Sequence, residues 1–227
     1  DQTNRGMGRN VAYVQKMAAQ AGVEITHATG YYKEPFLPPE CYKLTEQQLC
    51  DIMVKELTEG IEGTGVRATV IGEIGTSKDI TETGAPICTH TTLGTRGLEQ
   101  LEIFKSFGVD LSRVVLSHID LSADLDYMKR LLDQGVNIAF DTIGKCNYQP
   151  DVSRADWLSC LCAEGYDTQI VMSMDITRRS NFADRGGVGY SYLLDTFAPL
   201  ASEAGVPDRA WENLLYRNAL RIYKGQK

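Results

Sequence analysis

The 227 residues include 43% hydrophobic side chains and 23 basic against 30 acidic groups, for a formal net charge of −7. A chain of this length can bury a sizeable core, as one large α/β domain or two small ones. Its acidity without a basic run argues against nucleic acid or anionic membrane as a partner. No stretch approaches the roughly 20 apolar residues of a membrane-crossing helix.

The chain opens on a polar, glycine-rich segment, TNRGMGRN (3–10), without the apolar core of a secretion signal. A helix follows over 10–22 and a strand over 23–30 (VEITHATG). Thr45 and Gln48 have the spacing of a capping box at the head of a long amphipathic helix. Strands are then expected at 66–75, 85–92, 113–120, 136–142 and 169–175. Most of these runs are continuously apolar rather than alternating, as parallel strands buried on both faces should be. Helical periodicity fills the intervals. GLEQLEIFKSFG stops at Gly108 and DLDYMKRLLDQG at Gly135, and further helices suit 151–165, 191–205 and 207–224, the last with Pro207 near its start. The six cysteines form no CxxC pair and read as reduced thiols of a cytoplasmic protein.

Strand–helix alternation specifies a parallel α/β sheet. Neither GxGxxG after the first strand nor GxxxxGK[ST] is present. Polar residues instead close many different strands, which favours a (β/α)8 TIM barrel over an open doubly wound sheet. Only six of eight strands are visible. The first strand region is expected to be missing, and so is one helix after Ser77, because the linker TSKDITETG is too short for a parallel crossover. The reading is a single barrel domain over 1–227, incomplete at its N-terminus, with a gap between 77 and 84.

The chemistry lies at the strand ends. Glu73, His90, His118 and Asp175 each follow an apolar run, and imidazole and carboxylate at such positions suit a divalent metal. Asp141 closes another strand as a ligand, a ligand's partner or a cap. Asp120 stands two positions after His118, orienting the site or starting a helix. His27 lies inside a strand and reads as packing or as a ligand's partner. Lys145, Arg178 and the adjacent Arg179 follow the last two strands, a common phosphate-binding region of barrels. The glycine-rich DRGGVGY (184–190) reads as a rim loop or lid.

Across essentially the whole chain, the segments TNRGMGRN, ATGYY, GEIGTS, GAPICTHTTLG, GVDLSRVVLSHIDL, FDTIGK, VMSMDITRRS and ENLLYRNALRIY resemble the phosphotriesterase family of the amidohydrolase superfamily, in its phosphotriesterase homology branch. The resemblance implies two divalent ions, usually Zn2+ with Mn2+ as the alternative. A His-X-His pair on the first strand, absent here, would bind one ion with Asp175. His90 and His118 would bind the other, and Glu73 would bridge both. A metal-bridging hydroxide would attack an ester or lactone while Asp175 takes its proton. Lys145 and Arg178 match positions that hold the phosphate of phosphorylated lactones in some relatives, and Tyr31 and Tyr32, at the end of the strand over 23–30, read as lining the leaving-group side or as packing. A small anionic ester or lactone is the expected substrate, and a homodimer the expected assembly. Two alternatives stay open: a metal-assisted isomerase or aldolase on the same barrel, and a non-catalytic protein binding a phosphorylated small molecule.

Overall fold

The computed structural model describes residues 3–32, 36–74 and 84–224, the side chains of Glu73 and Ile74 excepted. The expected gap between 77 and 84 lies outside the described residues. Contacts group the chain into two compact units: the described residues within 1–90 and 101–114, and those within 91–100 and 115–227.

In the first unit, helix α1 (Val11–Ala21) starts where Asn10 accepts from the Tyr13 amide, and stops at Gly22 in the left-handed conformation. Helix α2 (Glu46–Thr58) carries the complete Thr45–Gln48 capping box. Strands β1 (His27–Thr29), β2 (Ala68–Ile74) and β3 (Ile87–Thr89) lie side by side in chain order, parallel, with Ala28 opposite Val70 and Ile71 opposite Ile87. Gly72 explains the tight fit of β2 on β3. Its φ is +149°, and a Cβ there would stand 2.2 Å from the Cys88 carbonyl oxygen, so no other residue fits without moving a strand. Val11, Ile61 and Ala68 close the space between α1 and β2, with Leu57 and Val66 packed against them.

Helix α3 (Gly97–Ser106) begins in the second unit's stretch 91–100 and ends in the first unit's stretch 101–114. The second unit carries β4 (Val114–Leu116) from Val115 on, β5 (Asn137–Phe140) and β6 (Ile170–Met172). They are again parallel and in order, with Leu116 opposite Ile138 and Phe140 opposite Met172. Helices α4 (Leu125–Leu132) and α5 (Asp151–Ala163) cover them. Leu116, Ile138, Phe140, Leu158, Leu161 and Phe197 are inaccessible to solvent and form the core. Beyond residue 190 the chain is helical, with π-type turns at Leu193–Phe197, Asn213–Arg217 and Leu220–Lys224 flanking α6 (Ala198–Glu203) and α7 (Asp208–Glu212).

All six expected strands form, each shorter than its apolar run. Past the carboxyl ends of β4 and β6, His118 and Asp175 take left-handed backbone, with φ of +63° and +44°.

Candidate active site

Parallel pairing places the carboxyl ends of β4, β5 and β6 along one edge. His118 follows β4 by two residues, Asp141 follows β5 directly, and Asp175 follows β6 by three. One oxygen of Asp141 accepts two hydrogen bonds from His118, from its backbone amide and from Nδ1, both at 2.9 Å. Both residues are buried. A carboxylate only accepts, so Nδ1 carries the proton, and in the neutral ring that leaves the lone pair on Nε2. This carboxylate–imidazole arrangement is the one that orients metal-binding histidines. Asp141, whose role the sequence leaves open, is therefore the partner that orients His118.

Asp175 makes an ion pair with Lys145 Nζ. Lys145 projects from the loop after β5, so a cation and the carboxylate after β6 meet although 30 residues separate them. Arg178 is exposed, and its backbone amide is held by the Asn181 side chain at 3.0 Å.

Beneath this edge lies a buried charge network. Arg154 on α5 is fully buried. It donates from Nε to Asp120 at 2.7 Å, from Nη1 to Asp151 at 2.7 Å and to the Gln149 carbonyl at 2.5 Å, and from Nη2 to Thr142 at 2.8 Å. Thr142 in turn donates to Asp120. Asp151 also accepts from the Gly144 amide at 3.1 Å and from the Tyr192 hydroxyl at 3.0 Å. Burial and the Asp151 carboxylate push the Tyr192 phenol up to about 12, so it remains a hydrogen-bond donor at neutral pH. Asp120 thus belongs to an internal ion pair, and it also stands in the first turn of the short 3-10 helix Ile119–Ser122. Sequence reading missed Arg154. The i, i+3 spacing of Asp151 and Arg154 on α5 was the available signal.

In the first unit, His90 follows β3, and Tyr32 is its neighbour. Tyr32 Oη lies 3.3 Å from Nδ1, with the two rings edge to face at 5.3 Å. Tyr31 is buried, with burial pushing its phenol up to about 12. His27 is buried at the start of β1, 2.8 Å from the Gln15 side-chain nitrogen, and burial lowers its pKa. Glu73 occupies a position on β2, but its side chain lies outside the described residues.

Among the described residues, no three or more His, Cys, Asp or Glu side chains surround a common point. The donors within the second unit still fit a divalent cation by their chemistry. A buried imidazole is oriented through Nδ1, and a carboxylate is already paired with a cationic group. The left-handed backbone at both His118 and Asp175 adds to this, since such strain gathers at functional positions.

A family model described as the phosphotriesterase family matches residues 1–223. A phosphotriesterase homology protein of Escherichia coli K12 is 39% identical over 240 residues, covering 99% of this chain and 82% of the relative. The crystal structure of the E. coli protein, complexed with phosphate in its active site, superposes with a TM-score of 0.91 at 38% identity, over 97% of this chain and 81% of that one. A Danio rerio N-acetyltaurine hydrolase is 29% identical over 97% of this chain and 71% of its own. A lactonase from Listeria monocytogenes gives a TM-score of 0.85 at 25% identity, over all of this chain and 81% of that one. The fold class is the α/β TIM barrel of these proteins. The E. coli alignment spans more positions than this chain has residues, so that relative carries residues with no counterpart here.

Proposed function

The chain belongs to the phosphotriesterase family, and from that membership and the strand-end geometry we propose that it is a metal-dependent hydrolase of a small anionic ester or lactone. Glu73, His90, His118 and Asp175 would hold two divalent ions, most simply Zn2+. Bound metal supplies Lewis acidity at the scissile carbonyl or phosphoryl group and lowers the pKa of the attacking water. The protein's own residues do the rest. Asp141 keeps the His118 ring in one tautomer and one orientation. Asp175 accepts the proton of the nucleophile. Lys145, next to that carboxylate, binds the anionic group of the substrate, with Arg178 assisting from the following loop.

The observation that carries this reading is the pair of constellations at adjacent strand ends: His118 held by Asp141, and Asp175 paired with Lys145. A second reading concerns the bond cleaved. Relatives named as N-acetyltaurine hydrolases favour an amide bearing a sulfonate, an anion that Lys145 and Arg178 would hold as readily as a phosphate.

Elemental analysis of the full-length protein, followed by assays on phosphorylated and neutral lactones, a phosphotriester and N-acetyltaurine, tests both readings. About two equivalents of metal are expected, with hydrolysis of at least one anionic substrate. His118→Ala should lower kcat/KM by about 10³-fold or more, equivalent to ~4 kcal/mol of transition-state stabilisation. Metal-free protein after reconstitution, or wild-type turnover in the variant, would overturn the hydrolase reading. Turnover of N-acetyltaurine alone would select the amide.

A further inference from the structure

The Lys145 loop and the glycine-rich segment that follows β6 are joined at one point. Asp151, the first residue of α5, accepts from the Gly144 amide on one side and from the Tyr192 hydroxyl on the other. Arg154 fixes the Asp151 carboxylate from beneath. The Tyr192 ring packs against Gly144. A Cβ on that glycine would stand 3.2 Å from two ring carbons and 3.2 Å from Val188, and its φ of +83° already disfavours a side chain. Packing and hydrogen bonding thus tie the same two segments independently. Lys145 is the next residue along from Gly144, and its amide closes a turn onto the Thr142 carbonyl. The direction of its side chain depends on where that turn is held.

We propose that Tyr192 and Asp151 form a latch between the loop 143–150 and the segment 182–192, and that Tyr192 is a positioning residue for anion binding by Lys145. The proposal rests on the reading of Lys145 as the anion-binding group. Tyr192 does not touch the ligand. Its hydroxyl fixes Asp151 and its ring covers Gly144, so the ammonium next to them keeps one place. The ligand class is an oxyanion, phosphate or sulfonate, carried on the substrate.

The test uses full-length Tyr192→Phe and Lys145→Met proteins, with inorganic phosphate as the probe. Hydrogen exchange is followed in peptides covering 143–150, and the phosphate Kd is measured by calorimetry. In Tyr192→Phe, exchange in 143–150 is expected to rise roughly tenfold, the loss of one hydrogen bond to a charged acceptor. Phosphate should bind about three- to tenfold more weakly, while Tm falls by no more than about 3–6 °C. Unchanged exchange in 143–150 would remove the latch. Faster exchange with wild-type phosphate affinity, while Lys145→Met loses phosphate, would show a latch that does not position Lys145 and would overturn the assignment. Wild-type phosphate affinity in Lys145→Met would instead remove the anion-binding reading of Lys145, and the proposal with it.

Discussion

Each of the two units buries an arginine between carboxylates, and the two networks differ in what they hold. In the first, the Arg9 guanidinium donates to both oxygens of Glu56 at 2.7 and 2.9 Å, to Glu62 at 2.9 Å and to the Ala28 carbonyl at 3.2 Å. Thr29 donates to Glu56 at 2.7 Å, and Arg5 adds a contact at 3.0 Å. This network pins the opening loop to β1 and α2, and Glu62 leaves one end of it half open to solvent. In the second, Arg154 and its carboxylates Asp120 and Asp151 are almost wholly inaccessible. That network lies under the loop carrying Lys145. The first ties scaffold together, whereas the second would, on the proposal above, hold the loop from which Lys145 projects. A buried ion pair is a poor source of net stability, because desolvation consumes most of the attraction. Its worth lies in the geometry it imposes, and under the proposed latch the second network would impose geometry on Lys145.

Breaking each network should therefore give different pairings of stability and function. Arg154→Met leaves two buried carboxylates without their counter-charge. Urea unfolding should show a loss of about 3–5 kcal/mol, together with weaker phosphate binding. A stability change without any change in binding would deny the second network its functional part.

Glu56→Gln should cost about 2–3 kcal/mol, since buried Arg9 loses its more buried counter-charge and keeps only the half-exposed Glu62, with catalysis unaffected below the unfolding transition. Its pH dependence is distinctive. Burial works to raise the Glu56 pKa, but the bonds from Arg9 and Thr29 outweigh it and hold the carboxyl below its ordinary value. A carboxyl depressed in the folded state contributes fully above its unfolded pKa, near about 4.3. That contribution is lost as pH falls through the lower folded value. The gap between wild type and variant should be constant at neutral pH and close on acidification. A gap that widens in acid would contradict the network.

Asp141→Ala addresses the ligand side. Metal titration should show affinity lowered about 10- to 100-fold, as when the carboxylate behind a ligating histidine is removed, while most of the stability is kept. Unchanged affinity would mean that the His118 tautomer is set elsewhere. The smallest effect is expected of Thr29→Val, which deletes one hydrogen bond to Glu56. A loss of about 1–2 kcal/mol by thermal unfolding, with full activity, would confirm that the first network is divisible.

The comparison also shows which information the sequence displays. Strand and helix positions were legible because burial on both faces writes continuous apolar runs, and because caps such as Thr45–Gln48 and stops such as Gly22 and Gly135 are local chemistry. Strand-end residues were legible as a set for the same reason, since His118 and Asp175 interrupt apolar runs. Partnerships were not. Asp141 could be recognised as the partner of His118, and Lys145 as that of Asp175, only after strands were laid side by side, because the pairs are 23 and 30 residues apart. Arg154 was hidden by its helix. In DVSRADWLSCLCAEG it reads as an ordinary polar position, yet it is fully buried. Tyr31 and Tyr32 could not be told apart without knowing which leaves β1 towards His90.

The left-handed backbone at His118 and Asp175 has a consequence for anyone wishing to make this protein hardier. A non-glycine residue in that conformation costs on the order of 1 kcal/mol or more, and asparagine or glycine relieves it. A screen for heat resistance alone would therefore reward replacement of the very two side chains on which turnover is proposed to depend. Selection at these positions must be made for survival and reaction together, because directed evolution towards robustness by itself would drift to an inert barrel.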